Sequence, residues 1–343
     1  MEINNHHFGY LPDGREARLF CFNSLGGMQL SISNYGGTIT SIKTPDKQGN
    51  LVEVCIGFNN LGDYLKPHPY FGATVGRYAN RIANGNFHLA GELIQLTKNF
   101  PHFQLHGGDK GFHTKLWDYE LEEFTDKAIL KLTYYSPDKE EGYPGNLMVE
   151  VAFTIYENNC FEIAYTAETD KATHVNLTNH AYFNLGGFKH TIDDHQLAID
   201  SDFYLELNEN QIPTGKMLAC ADGPFNFTTS RKLGEMGIPQ ENPLDFCFVL
   251  KHTPSKPSAQ LYHPETGIKL NVITSQPGIQ LYTANYLDAS LKGHGNVSYK
   301  KHHAICLETQ DFPDSPNQPN FPSTLLLPGA TYQQNVRYQF LID

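Results

Sequence analysis

The chain has 343 residues, of which 40% are hydrophobic and 18% charged, and its formal net charge is -12. This is the composition of a globular protein whose core is large enough to need neither disulfides nor a structural metal. The negative surface predicts that the protein binds neither nucleic-acid phosphates nor anionic membranes.

In chain order, the first local signal is a helical turn over 59–64. Apolar and polar residues then alternate over 148–157, 268–274 and 332–340, which is typical of half-buried antiparallel strands. Between these strands, 229–236 predicts one short helix with a threonine as its cap. Period-two runs continue through most of the chain, so strands greatly outnumber helices.

Twenty-nine glycines and twenty prolines separate the predicted strands. Many short strands with Gly/Pro turns indicate an all-β fold, either a sandwich or a barrel, with few short helices. The sequence has no internal repeat and no clear linker. A single domain over residues 1–343 is therefore predicted.

The six cysteines form no CxxC pair and no zinc-module spacing, so we expect reduced and mostly buried thiols. The N-terminus has no basic region followed by an apolar run, and no stretch is apolar for long enough to span a bilayer. These features together predict a cytoplasmic protein. The cysteines are Cys21, Cys55, Cys160, Cys220, Cys247 and Cys306.

Two residues in polar segments are candidates for proton transfer. The apolar run 304–307 predicts a buried strand with Glu308 just after its end, so the carboxylate should be partly desolvated and therefore a better base near neutral pH. His180 carries an imidazole, which exchanges protons near neutral pH without a special environment. The structural alternatives are that Glu308 pairs with an arginine and that His180 is a core histidine satisfied by Asn176 or Asn184.

Two more residues have a functional and a structural interpretation. His106 is a candidate site residue, and its structural alternative is that Gly107 and Gly108 after it simply form a turn. Arg81 could form a surface ion pair, but its planar guanidinium would also suit a sugar hydroxyl or ring oxygen.

Other catalytic motifs are missing from the sequence. There is no HExxH helix, no GxSxG elbow and no phosphate-binding GxxxxGK[ST] loop. His302 and His303 are adjacent in a predicted strand, where their side chains would point to opposite faces. The sequence therefore predicts neither a metal site nor a cofactor.

Six segments together resemble the galactose mutarotase (aldose 1-epimerase) family, and they occur in the family's order over nearly the whole chain. Each is weak alone, whereas their co-occurrence is specific. The segments are GRYANRI at 76–82, LHGG at 105–108, EGYPG at 141–145, NLTNHAYFNL at 176–185, QPGIQLYT at 276–283 and LETQDFPD at 307–314.

The resemblance implies a large antiparallel β-sandwich with a sugar cleft on its concave face, and a small-molecule aldose as the partner of a monomer or weak homodimer. It implies that Glu308 is the catalytic base, taking the proton of the C1 hydroxyl, and that His180 enters protonated and donates to the ring oxygen. Tyr182 or Phe312 is expected to stack on the sugar. The implied sugar-binding residues are Asn80, Arg81, His106, Asp245 and Gln280.

Three alternatives stay open at this point. A glycoside hydrolase would use Asp245 and Glu308 as a carboxylate pair. A non-catalytic carbohydrate-binding sandwich would lack an acid/base pair. A hexose-6-phosphate 1-epimerase would need a basic cluster for the phosphate, and only Arg77 and Arg81 lie near the motif.

Overall fold

A computed structural model describes residues 1–223, 225–236, 244–254 and 256–343. Within these residues the regular structure consists mainly of strands. In chain order they are β1 (Glu2–Tyr10), β2 (Glu16–Asn23), β3 (Gln29–Ser33), β4 (Thr38–Pro45), β5 (Leu51–Glu53), β6 (Thr74–Val75), β7 (Arg81–Ala83), β8 (Asn86–Leu89), β9 (Glu92–Gln95), β10 (Phe103–Leu105), β11 (Asp118–Glu123), β12 (Lys127–Ser136), β13 (Leu147–Tyr156), β14 (Cys160–Thr169), β15 (Thr173–His174), β16 (Thr178–Asn179), β17 (Tyr182–Phe183), β18 (Gln196–Ile199), β19 (Ser201–Leu207), β20 (Pro213–Ala219), β21 (Arg231–Lys232), β22 (Asp245–Leu250), β23 (Ala259–Tyr262), β24 (Ile268–Thr274), β25 (Gly278–Tyr282), β26 (Asp288–Lys292), β27 (Ser298–Lys300), β28 (Ile305–Gln310), β29 (Leu325–Leu326) and β30 (Thr331–Ile342).

The helical elements are short. The described α-helix is α1 (Leu61–Tyr64), which begins after Asn60, whose side chain accepts a hydrogen bond from the backbone of Asp63. The turn predicted over 59–64 is therefore confirmed. The 3-10 helices are Phe112–Thr114, Glu140–Gly142, Ile192–Asp194, Cys220–Asp222, Gly234–Met236, His294–Asn296 and Ser315–Asn317.

Three large antiparallel sheets carry the fold. One sheet has the order β1-β2-β3-β4-β5, the second β11-β12-β13-β14-β30-β24-β23-β18-β21, and the third β17-β28-β25-β22-β19-β20. The apolar faces of all three meet in one contiguous core cluster. The all-β sandwich with few short helices is thus confirmed, and no described helix has the length and apolar character needed to cross a bilayer.

Period-two alternation fills this core as the sequence predicts. The predicted strand 148–157 is β13, in which Val149, Val151 and Phe153 are fully buried while the residues that alternate with them are exposed or half-buried. The predicted strands 268–274 and 332–340 are β24 and β30. All six cysteines are free, and all but Cys21 are buried, as expected.

The helix predicted over 229–236 is wrong. Arg231–Lys232 forms β21, which pairs with β18, and a 3-10 turn over Gly234–Met236 follows. Between them Leu233 is fully buried, and its backbone N–H donates to the carbonyl of His195. Contacts with the core and with β18 therefore outweigh the helix propensity of this segment.

Two local predictions near the C-terminus also need correction. His302 and His303 lie in a turn before β28, not in a strand. Glu308 does not follow a strand, because β28 begins at Ile305 and continues to Gln310. Glu308 is consequently a buried interior position of the six-stranded sheet.

Alternation within the six-stranded sheet produces a second, polar face. In β28, Ile305 and Leu307 point into the core, so Cys306 and Glu308 point to the opposite face. Residues that are opposite one another in antiparallel neighbours share a face. By this register the face carries Tyr182 of β17, Cys306 and Glu308 of β28, Gln280 and Tyr282 of β25, and Asp245 of β22.

Candidate active site

A cavity of about 890 Å³ lies over this polar face. A hexopyranose fills roughly 200 Å³ at the packing density of protein interiors, so one sugar fits with room to spare. Six of the seven predicted site residues line the cavity, and Gln280 does not. The six are Asn80, Arg81, His106, His180, Asp245 and Glu308.

Glu308 and His180 face one another at the bottom of the cavity. The distance from Glu308 Oε2 to His180 Nε2 is 3.7 Å, and the two side chains are only 3% and 5% exposed. Oε2 has no hydrogen-bond partner among the described residues. The arginine pairing considered for Glu308 is therefore not what the structure has. The pair is close enough to serve one ligand but too far apart for a direct hydrogen bond.

Burial decides where the shared proton lies when no sugar is bound. Desolvation raises the pKa of Glu308 well above its ordinary value, the charge of Asp245 raises it further, and Arg81 lowers it. Desolvation also lowers the pKa of His180 to about 3. Burial therefore favours a neutral carboxylic acid and a neutral imidazole in the free site, whereas the sequence prediction has His180 protonated when the sugar enters. Both arrangements contain one proton and the same net charge.

The backbone around His180 fixes the ring in the cavity. His180 lies between β16 and β17; its N–H donates to the carbonyl of Ala73, and its own carbonyl accepts from Gly72. The imidazole stacks on the ring of Tyr182 with centroids 4.9 Å apart. The alternative that His180 is a core histidine satisfied by an asparagine does not hold, because its hydrogen bonds come from neither Asn176 nor Asn184.

Asn80 and His106 hold each other in place. Both have left-handed backbone conformations, with φ of 64° and 52°, which non-glycine residues adopt rarely. The backbone N–H of Asn80 donates to His106 Nδ1 at 3.2 Å, and the N–H of His106 donates to the carbonyl of Asn80. Because Nδ1 is an acceptor, the neutral ring carries its proton on Nε2 and can donate to a ligand. Burial keeps the ring neutral by holding the pKa of His106 well below its ordinary value.

Arg81 is the centre of a polar network on the cavity wall. Its guanidinium donates to Asp245 at 2.9 Å, to Gln211 at 2.5 Å and to the side chain of Asn80 at 3.3 Å. The other carboxylate oxygen of Asp245 accepts from Gln280 at 2.6 Å. Arg81 thus forms a buried ion pair, not a surface one, and Gln280 supports Asp245 from below. A direct contact between Gln280 and a sugar stays a prediction.

The site also has the composition of a possible metal centre. One ligand atom each of His106, His180 and Glu308 lies within 4.8 Å of the others. All three side chains also line the cavity and offer hydrogen-bonding groups to a sugar.

The sequence interpretation missed several cavity residues. Tyr70 lies between imidazoles, with its centroid 4.6 Å from that of His106 and 4.7 Å from that of His113. The only local sequence signal for Tyr70 was the pair of prolines just before it, Pro67 and Pro69. Gln211 reaches Arg81 from a segment 130 residues away, and nothing in its sequence surroundings marks it.

The two aromatic candidates for sugar stacking separate. Tyr182 lines the cavity beneath His180. Phe312 does not reach the cavity and packs on Phe321 at 5.1 Å in a separate apolar cluster. The expectation for Phe312 is therefore wrong.

Charges in the cavity bear on the ligand. Among the described residues that line the cavity, Arg81 is the only Lys or Arg, and Asp245 already pairs with it. Arg77 is buried elsewhere, where its guanidinium donates to the carbonyls of Ser136, Pro137 and Pro144. A phosphate dianion would find no free cationic cluster here, whereas neutral hydroxyls would find donors and acceptors.

Comparisons with known proteins identify the family of the chain. A family model described as aldose 1-epimerase matches residues 18–339. The chain is 40% identical to the galactose mutarotase of Homo sapiens over 98% of this chain and 97% of the relative. It is 31% identical to the aldose 1-epimerase of Escherichia coli K12, with 97% of each chain covered. The crystal structure of galactose 1-epimerase from Lactobacillus acidophilus superposes with a TM-score of 0.88 at 26% identity over 99% of both chains.

Proposed function

This chain belongs to the aldose 1-epimerase family, and on that premise we propose that Glu308 and His180 are its acid/base pair. The protein is an isomerase that interconverts the α and β anomers of free hexoses such as galactose and glucose. The observation that carries the assignment is the 3.7 Å approach of a buried carboxyl and a buried imidazole at the bottom of a cavity that is large enough for a hexose.

The reaction needs one acid and one base at the same time. A cyclic aldose is a hemiacetal, and opening its ring removes a proton from the C1 hydroxyl and adds one to the ring oxygen. Concerted transfer avoids an alkoxide or an oxonium ion, either of which would be costly beside the buried side chains of Glu308 and His180. After rotation about C1–C2, the same groups close the ring on the other carbonyl face with their roles exchanged. This chemistry requires no cofactor.

One proton shared between Glu308 and His180 is enough for the whole cycle. With ionised Glu308 and protonated His180, the carboxylate takes the C1 proton and the imidazolium donates to the ring oxygen. Ring opening then leaves neutral Glu308 and neutral His180, the arrangement that burial favours in the free site. Reclosure restores the first arrangement. Sugar hydroxyls in the cavity supply the hydrogen bonds that make the charged arrangement accessible.

The remaining wall residues orient the sugar in this proposal. The Nε2–H of His106 and the guanidinium of Arg81 donate to sugar oxygens and stabilise charge that develops on the ring oxygen. Asp245 holds Arg81 in position through the 2.9 Å ion pair and accepts from a hydroxyl. Asn80 orients both neighbours through its own hydrogen bonds.

These contacts also weigh against the alternatives. Asp245 is held by Arg81 and Gln280, so it is poorly placed to act as the second carboxylate of a glycoside hydrolase. The acid/base pair is intact, which disfavours a non-catalytic binding module. The single paired arginine in the described cavity wall disfavours a sugar phosphate.

A polarimetric experiment tests the proposed function. Purified protein is added to fresh α-galactose and, separately, α-glucose, and the approach to anomeric equilibrium is followed. We expect rates far above the spontaneous reaction for both sugars, no release of aryl alcohol from an aryl galactoside, and no acceleration by His180→Asn. Galactose binding without faster mutarotation would contradict the proposal and favour the binding module.

We further propose that residues 1–343 act as one domain, because one core cluster draws on all three large sheets. The net charge of -12 supports the sequence prediction of a soluble monomer or weak homodimer. The cytoplasmic location stays a prediction.

A further inference from the structure

A thiol lies behind the catalytic imidazole. The distance from Cys306 Sγ to His180 Nδ1 is 3.7 Å, within the range of a hydrogen bond to sulfur. Cys306 is two residues before Glu308 on β28, so both side chains project from the same face of the sheet. One strand therefore contacts His180 on both ring nitrogens, with the carboxyl near Nε2 and the thiol near Nδ1.

The proposed reaction constrains the tautomer of His180. Nε2 faces Glu308, so Nε2 is the atom that gives and takes the proton. A neutral imidazole can accept at Nε2 only if its proton is on Nδ1. Nδ1–H must therefore persist in both the charged and the neutral ring, and it needs an acceptor because Nδ1 is buried.

We propose that the Cys306 sulfur is the acceptor for His180 Nδ1–H, which makes Cys306 a positioning residue that keeps Nε2 available for proton exchange. The inference rests on the proposed roles of His180 and Glu308. Cys306 itself is fully buried and does not line the cavity, so it has no direct contact with the sugar.

The weakness of a thiol as an acceptor suits this particular reaction. A carboxylate at Nδ1 would stabilise the imidazolium strongly, and His180 would then release its proton reluctantly. A backbone N–H at Nδ1 would impose the opposite tautomer, as it does in His106. Burial keeps the pKa of Cys306 well above its ordinary value, so the sulfur stays neutral. A neutral, weak acceptor fixes the tautomer while leaving both protonation states of His180 accessible.

Three variants of the full-length protein test this role. Cys306→Ala removes the acceptor, Cys306→Ser replaces it with another neutral acceptor, and Cys55→Ala is the matched control. Cys55 is also fully buried and free; its thiol contacts the carbonyl of Ile56 and the backbone of Tyr182, but it forms no hydrogen bond with His180 or Glu308. The measurements are kcat and KM for galactose mutarotation, thermal stability, and the ¹⁵N NMR signals of His180.

We expect Cys306→Ala to lower kcat about 3- to 30-fold with KM changed less than about 2-fold, as for the loss of one hydrogen bond that orients a catalytic group. Cys306→Ser should recover most of kcat. The NMR signals should show the Nδ1–H tautomer in the unsubstituted protein and a tautomer mixture in Cys306→Ala. Cys55→Ala should lose comparable thermal stability while kcat and the tautomer stay unchanged.

Two results would overturn the inference: an Nε2–H tautomer in the unsubstituted protein, or equal kcat values for Cys306→Ala and Cys55→Ala. His180→Asn separates this outcome from a failure of the proposed function. If His180→Asn is inactive while the two cysteine variants match, only the role of Cys306 falls. If His180→Asn retains normal activity, the acid/base assignment itself is wrong.

Discussion

The substitution Glu308→Gln should separate catalysis from stability. Glutamine has nearly the shape of the protonated glutamate that burial favours, but it cannot exchange the proton. A positioned acid or base contributes about 10²–10⁴-fold, or about 3–5 kcal/mol of barrier at 1.36 kcal/mol per decade. Glu308 acts in both ring opening and reclosure, so we expect kcat to fall at least 10²-fold.

The same substitution should leave the folding stability unchanged or increase it. Glu308 Oε2 has no hydrogen-bond partner among the described residues, so the glutamine amide breaks no hydrogen bond of this atom. Because the folded-state pKa is raised, the stability that the neutral carboxyl contributes is complete below its unfolded pKa and is lost as pH rises above it. Glutamine never ionises, so this loss disappears. At pH 7.5 the variant should melt at the same temperature as the unsubstituted protein, or higher.

The assay couples α-to-β conversion of galactose to a β-specific dehydrogenase, with calorimetry on the same samples. Glu120→Gln, at an exposed position of the nine-stranded sheet, controls for the loss of one negative charge. Activity within tenfold of the unsubstituted protein would refute the role of Glu308. A melting temperature several degrees lower would refute the reasoning about its burial.

Three further substitutions test other buried titratable groups. Asp245→Asn should lower kcat/KM about 10²-fold, because it leaves the buried Arg81 without its counter-charge. It should also shift the alkaline limb of the pH–rate profile to lower pH, because the charge of Asp245 raises the pKa of Glu308. Asp311→Asn should stabilise the protein at pH 8 by up to about 4 kcal/mol in urea unfolding, a gain that fades towards pH 4, since burial raises the pKa of Asp311 from 3.8 to about 7. Burial lowers the pKa of His195 to about 3, so the stability it contributes is lost as pH falls below 6.5; His195→Gln should therefore make the loss of unfolding free energy between pH 6 and pH 4 about 1.4 kcal/mol per pH unit less steep. An unchanged pH profile, an unchanged free energy at pH 8 or an unchanged slope would contradict the respective prediction.

Local patterns in the sequence were enough for the strands and for the family. Alternation of side chains is a property of a few consecutive residues, so β13, β24 and β30 could be located within one or two residues. The family resemblance likewise led to six residues that line one cavity, although 228 positions separate Asn80 from Glu308.

Long-range contacts decided what local patterns could not express. The segment 229–236 follows the neighbouring β18 and the core instead of its own helix propensity. Gln211 and Tyr70 reach the cavity from loops whose sequences carry no motif, while Phe312, within a motif, packs elsewhere. The preference of burial for a proton on Glu308 over one on His180 also depends on tertiary structure, because desolvation depends on every residue that covers the site and not on the neighbours in the chain.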